Sequence, residues 1–109
     1  MPKGYSIKLT AKARTQLRSI ANDEFRKRMN PETAIKNIKK LNDAIISLSH
    51  MPNRINIDKQ NYYPQPDMRK MIAGDFLIYF TVDETDNCVI IHAISYGKMN
   101  QKILFISKK

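Results

Sequence analysis

The spacing of apolar positions changes along this chain. In the C-terminal half, residues 68–73, 76–82 and 88–95 form three short runs that alternate or stay apolar. They are rich in β-branched and aromatic side chains, which suit a pleated, half-buried surface. Gly74-Asp75 separates the first two runs, and Asp83-Glu84-Thr85-Asp86-Asn87 separates the last two. Short strands joined by such turns predict an antiparallel meander. Ahead of them the period lengthens. From Ala11 to about Arg28, apolar residues recur at Ala13, Leu17, Ile20, Ala21 and Phe25, one stripe of a helix that Thr10 can cap. Asn30-Pro31-Glu32 restarts the pattern: Asn30 caps, Pro31 suits the first helical position, and Glu32 suits the positive end of the helix dipole. The second helix is expected to reach about His50, with Ala34, Ile35, Ile38, Leu41, Ile45 and Leu48 as its stripe.

So short a connection predicts an antiparallel helical hairpin, both stripes packing on the sheet. Tyr5-Ser6-Ile7-Lys8-Leu9 alternates and reads as a first strand, and Met51-Pro52 ends the second helix. Residues 53–66 have no period and read as a loop, with Tyr62-Tyr63 pinning it to the body of the domain in preference to stacking on a base. Everything before Asp67 is expected to cover one face of the sheet. Beyond position 98, Ile103-Leu104-Phe105-Ile106 fits a strand or a short helix equally well. The expected architecture is α+β: an N-terminal strand and a helical hairpin packed on an antiparallel meander, in one domain spanning residues 1–109.

Composition narrows the function classes. No apolar run approaches the roughly 20 residues of a membrane helix, and the first ten residues lack the apolar core of a signal peptide. Cys88 is the single cysteine and the two histidines are scattered, so neither a disulfide nor a zinc-ligand spacing is present. A cytoplasmic protein without metal or cofactor is expected. The 19 Lys/Arg against 10 Asp/Glu give a net charge of +9. Residues 1–50 hold 11 of the basic residues and 4 of the acidic ones, so the field belongs to the helical half. A field of this sign attracts nucleic acid, ribosomes or an acidic protein.

Several pieces occur in a suggestive order: the opening at residues 5–13, Asn30-Pro31 with Ala34, the exit Leu48 to Pro52-Asn53-Arg54, Arg69-Lys70 before Gly74, Leu77-Ile78-Tyr79, Val82-Asp83-Glu84, and the Tyr96-Gly97-Lys98 end. Together they resemble the RelE/ParE superfamily of toxins over nearly the whole chain. The resemblance implies the toxin of a type II toxin–antitoxin pair, neutralised by an antitoxin encoded by a neighbouring gene. Two branches share the fold. RelE-like members are mRNA interferases, endoribonucleases that cut mRNA on the ribosome without a metal. ParE-like members bind and poison DNA gyrase. Net charge tilts the expectation slightly toward the ribosome.

Metal-free cleavage through the 2′-hydroxyl needs a base, an acid for the leaving oxygen, and cations around the phosphorane. Arg69 falls close to one basic position of the RelE-type set. Phe76, Met99 and Phe105 stand where that set has two arginines and a tyrosine. Substitutes exist in Tyr79, His92, Tyr96, Lys98 and Lys102. The catalytic candidates are therefore Arg69, Lys98, Tyr96 and His92, and the candidate nucleic-acid contacts are Lys70, Lys102 and Arg54. Arg69 and Lys98 are expected to grip phosphate, and His92 has a side chain suited to proton transfer. Strand alternation places His92 and Tyr96 on one face and Ala93 and Ser95 on the other.

Overall fold

A computed structural model describes residues 4–27, 29–59 and 63–97. The elements follow the order β1 (Ser6–Leu9), α1 (Ala11–Lys27), α2 (Pro31–Ser47), β2 (Arg69–Ala73), β3 (Phe76–Asp83) and β4 (Cys88–Tyr96), with a 3-10 turn at Pro52–Arg54. The four strands form one sheet in the order β1-β4-β3-β2.

Local chemistry sets the boundaries. Thr10 Oγ1 accepts from the Ala13 amide at 3.1 Å, and Asn30 Oδ1 accepts from the Glu32 amide at 2.9 Å, so each helix starts on a side-chain cap. The second helix stops at Ser47, three residues short of expectation. The Leu48 amide bonds back to Ile45, and Met51 turns the chain through the left-handed region at φ 48°. Two residues, Gly74 and Asp75, join β2 to β3, with Gly74 at φ 62°, a conformation free of strain only for glycine. Between β3 and β4, Asp83 Oδ1 accepts from the Thr85 and Asp86 amides and Asn87 takes φ 49°.

The meander pairs as expected: β2 with β3 and β3 with β4, both antiparallel. β1 departs from the expected covering role. It lies within the sheet as an edge strand, parallel to β4, with Ile7 opposite Val89 and Leu9 opposite Ile91. The parallel sense follows from α1 and α2, which carry the chain away and back before the meander begins.

Both helices pack on one sheet face. There Ala13, Ile20, Leu41, Ile45 and Leu48 meet Ala73, Phe76, Ile78, Phe80, Val89, Ile91 and Ile94. Each large side chain fully buried here stabilises the fold by about 1.5–3 kcal/mol. Two expected members of the stripes are exposed. Phe25 is 50% exposed and Ile35 55% exposed, whereas Glu24, beside Phe25, is fully buried. The opposite face carries a smaller cluster of Tyr63, Met68, Leu77, Tyr79 and Ala93. Tyr63 stacks obliquely on Tyr79 at 6.0 Å, and its hydroxyl donates to Asp58, so it does pin the loop. That loop also adds a one-residue antiparallel bridge, Ile57 to Arg69. Cys88 is buried and not in a disulfide. No described helix is long and apolar enough to cross a membrane.

Candidate functional site

A β-bulge controls how the candidate residues on β4 are presented. Tyr79 pairs with Ala93 but Phe80 pairs with Ile91, so His92 is an extra residue on β4. Its insertion overturns the simple alternation. Tyr96 lies on the helix-covered face, packed 5.3 Å from the Phe76 ring. His92 turns to the opposite face, where its Nε2 shares a 2.9 Å hydrogen bond with Thr81 Oγ1. The two residues expected on one face are on opposite faces.

Each candidate among the described residues is already engaged. The Tyr96 hydroxyl donates to Asp23 Oδ2 and to Glu24 Oε2, both at 3.0 Å, and Lys27 Nζ sits 4.2 Å over its ring. Burial, then the bonds to Glu24 and Asp23, raise the phenol well above its ordinary range. A phenol so held stays protonated near neutral pH. Glu24 also accepts from Asn37 Nδ2 at 2.8 Å, so the buried carboxylate ties α1, α2 and β4 together.

Arg69 is on β2, opposite Phe80. Its Nη1 donates to the Ile55 carbonyl at 2.5 Å, which fastens the loop to the sheet. Its charge also helps to hold the Glu84 carboxyl below the usual range, after the larger contributions of the Tyr5 and Asn53 hydrogen bonds. Arg54 Nη1 donates to the His50 and Met51 carbonyls at 2.6 and 3.2 Å, closing the end of the second helix. Lys70 pairs with Asp58 at 3.6 Å. Lys98 and Lys102 lie outside the described residues. Among the described residues the structure therefore does not bring Tyr96, His92 and Arg69 to one point, and no group of His, Cys, Asp and Glu suited to a metal is present.

His92 carries a pH signature. Burial is the main cause that lowers its pKa from 6.5, with Lys12 adding to the effect and Asp67 opposing it. Below about pH 6.5 the unfolded chain takes a proton that the folded ring resists, so stability falls as pH drops from there toward the folded pKa. Above that window the ring is neutral in both states and contributes no slope. His92→Gln keeps a partner for Thr81 and is expected to flatten this part of the profile, measured as urea midpoints. An unchanged slope would place the ring in water.

A groove of about 220 Å³ runs between α1 and the end of β4, lined by Gln16, Ser19, Asp23, Arg26, Ser95 and Tyr96 among others. β1 stops pairing at Leu9, opposite Ile91, and side chains take over along the edge. Thr10 Oγ1 donates to the His92 carbonyl at 3.3 Å, and Gln16 Oε1 accepts from the Ile94 amide at 2.8 Å. Such plugging discourages edge-to-edge pairing of sheets.

A helical hairpin over a four-stranded sheet of this order is shared with solved toxin structures. The chain superposes with a TM-score of 0.67 on a protein of the chromosomal ParDE system of P. aeruginosa, at 21% identity, covering 84% of this chain and 95% of that one. For the RelBE2 toxin–antitoxin complex of Mycobacterium tuberculosis the TM-score is 0.60 at 15% identity, covering 85% and 98%. For the RelE–RelB complex of Pyrococcus horikoshii OT3 it is 0.57 at 13%, covering 89% and 99%. No curated protein sequence matches significantly. Over residues 7–101 the sequence itself matches the family described as the ParE toxin of the type II toxin–antitoxin system parDE. The chain belongs to this family, within the RelE/ParE superfamily, and is a type II toxin.

Proposed function

We propose that this toxin acts by gripping a protein target, DNA gyrase as in ParE-like members, and not by cutting mRNA, and that an antitoxin encoded beside it holds it inactive. The dispersal of the described catalytic candidates carries this reading. Tyr96 is locked to two carboxylates under α1, His92 is bonded to Thr81 on the far face, and Arg69 is fastened to the Ile55 carbonyl. The outer side of the hairpin supports a binding role, since Phe25, Met29, Ile35 and Ile46 are all at least half exposed there. A cleavage reading rests on Lys98 and Lys102 joining Arg69.

Controlled expression in cells given labelled precursors separates the two. Early arrest of DNA synthesis with an SOS response is expected, and early arrest of protein synthesis would overturn gyrase in favour of the ribosome. Arg69→Ala is expected to keep its growth arrest while losing about 1 kcal/mol of stability with its bond to Ile55. A phosphorane-binding Arg69 would instead lose activity on the order of a hundredfold. Loss of arrest in a folded Arg69→Ala, Lys98→Ala double variant would return the assignment to nuclease.

A further inference from the structure

We infer that the outward face of α1 is a binding surface for the sugar–phosphate backbone of duplex DNA. Thr15, Arg18, Asn22 and Arg26 recur at intervals of three and four, so they form one line along the helix, and all four are exposed. The line is about 16 Å long at the α-helical rise. Ser19 flanks it and Lys12 stands near its N-terminal end, both exposed. These six side chains all donate hydrogen bonds, and none is acidic or apolar. Side chains of these types supply the phosphate contacts of DNA-binding proteins.

The acids of the same helix are withdrawn from this line. Glu24 is buried against Asn37 and Tyr96, and Asp23 accepts from Tyr96 and pairs with Lys27 at 3.4 Å. Arg26 reaches Asp23 only at 3.9 Å and stays 74% exposed, and Arg18 has no partner among the described residues. The exposed side of α2 differs, combining Ile35 and Ile46 with a Lys39–Asp43 ion pair at 3.1 Å. The first helix thus offers a line of donors and positive charge with Phe25 beside it, and the second offers apolar surface through Ile35 and Ile46. One aromatic side chain, the half-exposed Phe25, lies beside the line; a row of stacked bases would need several, which favours a duplex over a single strand. The choice of DNA over duplex RNA rests on the gyrase reading, because that target works on DNA.

The test is anisotropy of a labelled, arbitrary-sequence DNA duplex with the full chain, across a salt series. Binding independent of sequence and steeply weakened by salt is expected. Arg18→Gln with Arg26→Gln is expected to reduce the slope of log K against log salt by about two and to weaken low-salt binding about tenfold or more. Lys36→Gln with Lys40→Gln removes the same charge from α2 and is expected to have less than half that effect. Circular dichroism confirms that both variants fold. Equal losses in the two pairs would mean a diffuse field and overturn the α1 surface, as would absence of binding. Tighter binding to single-stranded RNA would overturn the duplex. Arrest of protein synthesis in cells would overturn the gyrase reading while leaving this measurement standing.

Discussion

Tyr96→Phe is expected to destabilise the domain by about 2–3 kcal/mol while leaving the toxin able to arrest growth. The estimate follows from what the hydroxyl does. It donates at 3.0 Å to Asp23 and to Glu24, and Glu24 is a fully buried carboxylate. Hydrogen bonds to charged groups contribute about 1.5–3 kcal/mol each, and a buried charge left short of a donor adds a desolvation penalty. Against a typical total stability of about 5–15 kcal/mol the loss is large. Glu24→Gln keeps the shape and one acceptor oxygen, so it is expected to cost less than Glu24→Ala, which strands Asn37 and opens a cavity. Urea unfolding of the single and double variants measures the coupling between Tyr96 and Glu24, which is expected to exceed 1 kcal/mol for residues in one network. A Tyr96→Phe variant of unchanged stability would refute the clamp. One that folds normally but loses growth arrest would make the hydroxyl catalytic.

The same clamp marks where sequence reasoning stopped. The helices, the turn at Gly74-Asp75 and the three meander strands were legible because each rests on local periodicity or on one residue's conformational preference. Glu24 was missed, although it falls four residues after Ile20 and seven after Leu17, on the inward stripe. A carboxylate at a core position of a 3.6-residue period was the available signal, and a partner on β4 was the missing fact. Phe25 fits the apolar spacing four residues after Ala21, yet it lies half exposed. The bulge at His92 was illegible for a different reason. No glycine or proline marks it in Val89-Ile90-Ile91-His92-Ala93-Ile94, and only the register with β3 reveals the extra residue. One inserted position then decided which of two candidate residues joined which face. Placement of β1 beside β4 is likewise a long-range pairing that the local pattern of residues 5–9 does not encode.

Ile35→Glu combined with Ile46→Glu is expected to abolish growth arrest without weakening the fold. The two residues are eleven apart on α2, three turns of helix, and so share one side. They are 55% and 61% exposed, so the core loses nothing when they change. Glutamate is a better helix former than isoleucine, and surface substitutions of this kind stay within about 0.5 kcal/mol. A domain that leaves Phe25, Met29, Ile35 and Ile46 exposed on one hairpin presents the apolar centre that protein partners desolvate. Forcing an unpaired carboxylate into such a contact costs several kcal/mol, and about 2.7 kcal/mol already lowers affinity a hundredfold. Ile35→Ala with Ile46→Ala removes area without adding charge and is expected to weaken arrest only in part. Co-purification with gyrase subunits and recovery of DNA synthesis in cells provide the readings, with urea midpoints confirming unchanged stability. The α1 line and this face then separate cleanly. Removing Arg18 and Arg26 is expected to change salt-dependent DNA binding, and the glutamates on α2 are expected to break the grip on protein. Full arrest by the double glutamate variant would remove the hairpin's outer face as the contact surface.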